Sequence, residues 1–306
     1  MTLSLDTRPE ELVVRHGEQE LFRYVYVPHD AQRESPRPYF HPIRTLTGDV
    51  VSLYRPHDHV WHKGIALSLP NVGDANFWGG VTYVRDQGYV QLPNDGAMVH
   101  TGFDVLEADD AGVRVQERLI WVTQQGEHWF TEIRSIAVTA DEAAGAWTLA
   151  FATTFRNVSG AEVVMGSPTT QGRENAGYGG LFWRGPRSFT GGRVYVPGQQ
   201  GGDDLMGVRA PWLAFAGDHD EKTGSSTLVF VEAPENPDTP AKWFVRSTPF
   251  AAVCPAPFFD VEVPVADGGS LSYAYAVVVA DGDGGLAGAE ALAKIGEQAL
   301  IRPVEL

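Results

Sequence analysis

Glycine and proline break this chain before any helix can run long. The sequence holds 34 Gly and 20 Pro in 306 residues, so a break falls every few positions and leaves room for strands but few helices. Between the breaks, residue sizes alternate. From Trp147 to Phe155, Trp147, Leu149, Phe151 and Phe155 share one face and small residues occupy the other, which is the period of a half-buried strand. Leu271, Tyr273 and Tyr275 share a face in the same way, and 21–27 is rich in aromatic and β-branched residues suited to a strand. Three long strands follow one another at 112–123, 129–139 and 147–157. Their connections at 124–127 and 141–146 suit hairpins, which makes an antiparallel meander. Further strands are expected at 49–53, 64–69, 98–106, 193–196, 212–216, 227–231 and 258–263.

One helix is predicted, at about 286–299. Leu292 and Ile295 lie three apart among alanines, Asp283 is placed to cap the start, and Pro303 suits a stop. There is no strand–helix alternation, fixed repeat or low-complexity linker. The pattern predicts an all-β fold over 1–306: one domain, a large antiparallel two-sheet β-sandwich with a short C-terminal helix.

Charge and cysteine content narrow the function classes. Asp and Glu number 39 against 23 Lys and Arg, a net charge of −16. Without a basic stripe, such a chain repels phosphate backbones, so no nucleic-acid partner is expected. Folding a chain of this mass shrinks its surface from roughly 48,000 Å² to about 12,600 Å², so a core forms without metal or disulfide staples. Cys254 is the lone cysteine, which fits a reducing compartment. No apolar run is long enough to span a membrane and the start lacks a signal-peptide pattern. The expected location is cytoplasmic.

The strongest chemical signal is Arg55-Pro56-His57-Asp58-His59-Val60-Trp61-His62-Lys63-Gly64, with three of the nine histidines in six residues. Histidine is the common neutral-pH acid, base and metal ligand. In an extended chain His57 and His59 share a face while His62 points away, so convergence needs a turn after Pro56. The run departs from the metallo-β-lactamase pattern, because Arg55 stands where another His belongs. It departs from the cupin pattern, because Lys63 and Gly64 replace a Glu. Acid–base work, metal ligation and simple ordering of a loop all remain open for these side chains.

His41 lies between Phe40 and Pro42, which biases it to extended geometry. It suits either a buried core position or a ligand site. The Gly-rich stretch 168–187 carries Arg173, Glu174, Arg184 and Arg187. Glycine lets backbone approach a ligand, and Arg offers fixed donors to carboxylates or sugar hydroxyls. A tight structural loop is the alternative. Trp61, Trp78 and Trp183 could stack on sugar rings. Glu132 and Arg134 share a strand face, either as a solvated ion pair, the favoured reading, or on a concave ligand face.

Tyr39-Phe40-His41-Pro42, Asp58-His59-Val60-Trp61-His62-Lys63-Gly64, Asn76-Phe77-Trp78-Gly79 and Gly177-Tyr178-Gly179-Gly180-Leu181-Phe182-Trp183-Arg184 together resemble a bacterial family labelled "methane oxygenase PmoA-like". The label's namesake is membrane-embedded and this sequence has no spanning segment, so the namesake's activity does not transfer. The resemblance implies a soluble protein that accompanies sugar-catabolic oxidoreductases, hence a carbohydrate substrate. Many relatives carry Pro at the position of Val60 and His at that of Trp61. In fold alone, the pattern is similar to the galactose-mutarotase-like supersandwich, where a sugar lies between a His acid and a carboxylate base.

The resulting expectation is a carbohydrate-active enzyme acting by His and Glu acid–base chemistry, whether hydrolysis, elimination or epimerisation. His59 and His62 are the acid–base candidates and Glu174 their carboxylate partner. His41, His57, Asp58, Arg173 and Arg184 would hold substrate, and Trp183 would stack on the ring. No cofactor is predicted. One alternative is a divalent-metal enzyme with His41, His57, His59 and His62 as ligands. Another is a non-catalytic sugar-binding module.

Overall fold

Strands dominate the computed structural model, which describes residues 1–304. Among the described residues they form an eleven-stranded sheet, a nine-stranded sheet and a two-stranded ribbon. The main path of the first sheet runs Leu3–Thr7, Glu11–His16, Gln19–Val25, Tyr39–Ile43, Ile65–Val72, Gly180–Arg184, Ala252–Ala256 and Lys242–Arg246. The second runs Gln199–Gly201, Arg193–Val196, Trp212–Asp218, Ser225–Glu232, Ser270–Asp281, Ala146–Asn157, His128–Asp141, Gly112–Val122 and Ala97–Asp109. The meander is present as expected: the 112, 128 and 146 strands pair antiparallel in sequence order. The fold is all-β, with one C-terminal helix at Gly285–Ala299. No helix among the described residues is long and apolar enough to cross a membrane. The accessible surface, 11,952 Å², is close to the value expected from chain mass.

The large side chains of the alternating strands fill the space between the sheets. Trp121, Trp147, Phe151, Phe155, Phe215 and Phe230 are all buried there. The strand at 146–157 is not half-buried, however; ten of its twelve residues run as an unbroken buried series from Ala146. The C-terminal helix covers the outer face of this sheet, setting Ala289 and Ala293 against Ala146, Val229, Ala276 and Val278. Small residues are needed for that approach. A Cβ at Gly296 would stand 2.6 Å from a Val231 methyl. Asp283 accepts the backbone N–H of Gly285 at 2.9 Å at the helix start.

Several expectations differ from the structure. Residues 49–53 make only an isolated bridge from Val50 to Arg44, and the strand expected at 258–263 begins at Val263. Conversely, the Gly-rich stretch is not loop throughout, because Gly180–Arg184 is an interior strand paired on both sides. Both its faces are buried, so it shows no alternation to recognise.

Glu132 and Arg134 are not solvated either. Their strand face points into the core, and both are about 1% exposed. Glu132 accepts from Arg134 Nε at 2.9 Å, the Trp121 indole at 2.7 Å and the Thr153 hydroxyl at 2.8 Å. Arg134 donates to the Tyr24 hydroxyl at 2.9 Å, and Tyr24 donates in turn to Glu117, whose other oxygen faces His100 at 2.7 Å. A buried charge survives only when paired and hydrogen-bonded like this.

Candidate functional site

The histidine run leaves the first sheet as a pair of tight turns. The N–H of His59 donates to the Pro56 carbonyl at 3.0 Å and the N–H of His62 to the His59 carbonyl at 2.9 Å. The ends are tied by the Tyr54–Lys63 bridge. The three-residue offset places the two imidazoles face to face, with centroids 4.7 Å apart and planes 18° apart. Both line a cavity of about 490 Å³. Its aromatic walls include Trp61, Trp78, Tyr178, Phe182, Phe244 and Phe250. Gly80 lets Trp61 sit where it does: its φ is +72°, and a Cβ there would lie 2.7 Å from the indole. Grooves of about 610 and 640 Å³ open elsewhere, beside Trp129 and beside Tyr54, and neither is lined by His57, His59 or His62.

Hydrogen bonds give the two imidazoles opposite characters. Asp58 Oδ2 lies 3.1 Å from His59 Nδ1. A carboxylate accepts, so Nδ1 carries the proton, and in the neutral ring Nε2 is the lone-pair nitrogen. Arg184 Nη1 lies 2.9 Å from His62 Nδ1. A guanidinium only donates, so Nδ1 is the acceptor and the His62 proton sits on Nε2. Burial, with the neighbouring His59 and Arg184 adding to it, holds His62 well below the usual imidazole range. It is a neutral donor. Neither Nε2 has a hydrogen-bond partner among the described residues.

Asp58 is the hinge of this arrangement. Burial disfavours its charge, yet the His59 hydrogen bond and the Arg184 guanidinium hold its carboxyl well below the usual range. Arg184 Nη2 reaches it at 3.3 Å and Arg187 Nη2 at 3.2 Å. Arg184 is itself fully buried, with its Cζ 3.8 Å from the centre of the Phe250 ring. The strand Gly180–Arg184 explains that position. Leu181 and Trp183 face the inter-sheet core, while Phe182 belongs to the cluster on the sheet's outer side that carries the cavity. Arg184, two residues on, shares the side of Phe182.

The remaining expected residues divide. Arg173 lines the cavity; it donates to the Tyr89 hydroxyl and lies 4.8 Å over that ring. His57 sits outside the cavity and contacts Arg187 at 2.9 Å. Glu174 is exposed and does not line the cavity, so it cannot serve as carboxylate partner to His59 or His62 in this arrangement. Trp183 is a core residue rather than a stacking platform: it is fully buried, and its indole donates to the Val51 carbonyl at 2.8 Å. His41 also stands apart from the cavity. It bonds Ser52 Oγ at 2.9 Å and stacks on Tyr54, and burial lowers it to about 4. Among the described residues no three His, Cys, Asp or Glu side chains converge as a metal-ligand set. The four histidines of the metal alternative therefore do not assemble.

Sequence reading missed Arg246, Phe244, Phe250, Tyr178 and Tyr89 as wall residues. Arg246 and Phe244 lie on an edge strand, Phe250 in the turn beyond it, and Tyr89 on the ribbon Gly88–Val90. Only tertiary folding carries these segments to the histidine turns. Tyr178, Trp61 and Trp78 belong to local motifs of the sequence, where aromatic content was the available signal.

No curated protein matches the sequence. Solved structures with some likeness include a GH36 α-galactosidase, AgaB, from Geobacillus stearothermophilus, at 11% identity and a TM-score of 0.46, covering 94% of this chain and 42% of that one. Another is an α-galactosidase from Lactobacillus brevis, at 8% identity and a TM-score of 0.37, covering 92% of this chain and 39% of that one. A third is a galactose mutarotase related enzyme from Lactobacillus acidophilus, at 10% identity and a TM-score of 0.35, covering 93% and 99% of the two chains. The chain thus spans about two fifths of the α-galactosidases' length. The profile of one family matches residues 11–294, nearly the whole chain, and the protein belongs to that family, the family of unknown function DUF6807.

Proposed function

We propose that the protein is an enzyme that moves a proton at a carbon of a sugar, with His59 as the base and His62 as a neutral hydrogen-bond donor to the adjoining oxygen. The observation that carries this is the pair of stacked imidazoles with opposite tautomers at one aromatic cavity. An Asp-oriented imidazole with a free Nε2 is a general base. A neutral imidazole N–H polarises a carbonyl or carboxyl oxygen without first losing a charge. In the step, His59 Nε2 takes the proton. The C–H electron pair moves toward the adjoining carbonyl carbon, and the charge developing on its oxygen is met by the His62 N–H. Delivery of a solvent proton to the other face of the carbon, with His59 releasing its own proton to solvent, gives an epimer. Departure of a β-oxygen substituent, protonated by the imidazolium that His59 has become, gives an unsaturated sugar. The aromatic walls suit the apolar faces of a pyranose ring.

Hydrolysis by two flanking carboxylates is disfavoured, because that chemistry needs a carboxyl pair about the bond and no Asp or Glu lines this cavity among the described residues. Hydrogen exchange tests the proposal whichever product forms. Sugars and sugar acids are incubated with the enzyme in deuterated water, and loss of C–H signals is followed by proton NMR. The wild type should exchange one ring C–H beside a carbonyl or carboxyl, and His59→Gln should slow that exchange by about 10²-fold or more. Exchange in His59→Gln at the wild-type rate would refute the assignment.

A further inference from the structure

We infer that the sugar bound in this cavity carries a carboxylate, as a uronate does, and that Arg173 and Arg246 grip it. The inference rests on the reading of the cavity as a sugar site but not on the role given to His59. The protein as a whole is strongly acidic, with 39 carboxylates against 23 Lys and Arg. Its cavity inverts that balance: two Arg and two His line it, and no Asp or Glu does. The inversion is local, so it belongs to the cavity rather than to the surface at large.

Neither of the two arginines is held by a close carboxylate, in contrast to Arg114 and Arg193. Arg114 holds Glu107 at 2.9 Å and Asp109 at 2.8 Å, and Arg193 holds Asp218 at 2.8 Å and Asp283 at 2.5 Å. Arg173 has no carboxylate partner among the described residues; its contact is the phenol of Tyr89, which is hydrogen-bonded onward to Tyr178 at 3.0 Å. Arg246 has only Asp203, whose Oδ2 stands 3.8 Å away. The other oxygen of Asp203 is occupied by the Ser247 N–H at 2.5 Å and the Ser247 hydroxyl at 3.0 Å. Two guanidiniums therefore reach one concavity with donors to spare. Such forks match a carboxylate in geometry and charge.

A carboxylate also makes chemical sense beside the imidazoles. Proton removal next to a carboxylate builds negative charge on a group that is already anionic, and a guanidinium against that group lowers the cost. A phosphate would be gripped by the same donors but would not acidify a neighbouring ring C–H in this way.

Calorimetric titration separates these ligands. The probes are D-galacturonate, D-glucuronate, D-galactose, D-glucose and D-glucose 6-phosphate. At least one uronate should bind the wild type roughly tenfold or more tightly than its neutral parent, and Arg173→Gln and Arg246→Gln should each lose about that factor. Arg209→Gln, which removes the same charge outside the cavity, should keep wild-type affinity. Equal binding of neutral and acidic sugars, retained uronate affinity in both arginine variants, or binding of the phosphate alone would each overturn the inference. The outcomes also separate the two claims. Neutral sugars bound and exchanged would leave the proton-transfer reading standing without the carboxylate. A uronate bound in an arginine-dependent way but never exchanged would do the reverse.

Discussion

Acid should destabilise this protein through two particular histidines. His62 is 3% exposed, and burial beside His59 and Arg184 keeps it neutral well below its ordinary value of 6.5. Burial, with help from Arg44, lowers His41 to about 4. Once unfolded, both imidazoles take up protons as pH falls below 6.5. Over this range the unfolded state binds more protons than the native one, so stability falls as pH falls. Each imidazole that stays neutral then costs about 1.4 kcal/mol per pH unit, or about 2 kcal/mol on going from about pH 8 to about pH 5. Asp95 opposes them. Burial raises its carboxyl from 3.8 to about 6, so the native state gains a proton there and recovers about 1 kcal/mol near pH 5. Burial raises Glu232 as well, in the same compensating direction. Asp58 and Glu34, which are depressed, lose their contribution only below their ordinary values of 3.8 and 4.5, outside this window. Together His62, His41 and Asp95 predict a net loss of about 3 kcal/mol. Urea unfolding monitored by tryptophan fluorescence across this pH range measures it. His62→Gln and His41→Asn should each flatten the dependence by about 2 kcal/mol. If both variants keep the full wild-type slope, the two histidines are not neutral in the native state and the neutral donor assigned to His62 is wrong.

Two stability predictions concern side chains the sequence left ambiguous. Arg134→Met strands Glu132 in the core and should cost about 3–5 kcal/mol by urea unfolding, whereas Glu132→Gln combined with Arg134→Met should recover much of it; a loss under about 1 kcal/mol in the single variant would argue that the network is not buried. Trp183→Ala should cost about 3–5 kcal/mol, while Trp61→Ala, at the cavity wall, should weaken sugar binding more than it lowers the urea midpoint. The opposite ranking would place Trp183 at the ligand.

How much of the molecule is legible in its sequence depends on how far apart the partners lie in the chain. The 112–157 meander is legible because its strands are neighbours joined by short turns, and each keeps its period. The helix is legible from its own spacing. The strand Gly180–Arg184 is not, since burial on both faces erases alternation. For Glu132 and Arg134, a shared strand face is visible, but which side that face takes depends on the opposing sheet. In the site, His59, His62, Asp58, Arg173 and Arg184 stand out as chemistry-bearing residues within local motifs. Glu174 and Trp183 come from the same motif as Arg173 and Arg184, yet neither does what that motif suggests, because motif membership does not say where a side chain points.

The sequence by itself determined an all-β chain with a terminal helix, an acidic surface and a histidine run able to do acid–base work. Those properties follow from local spacing and from totals, which need no partner to be defined. Tertiary structure decided the rest. It turned the run so that His59 and His62 stack, set Asp58 behind one imidazole and Arg184 behind the other, and carried Arg246 and Phe250 from nearly two hundred residues away to close the cavity. The proton positions on the two imidazoles depend on which groups surround them, and only folding brings those groups together.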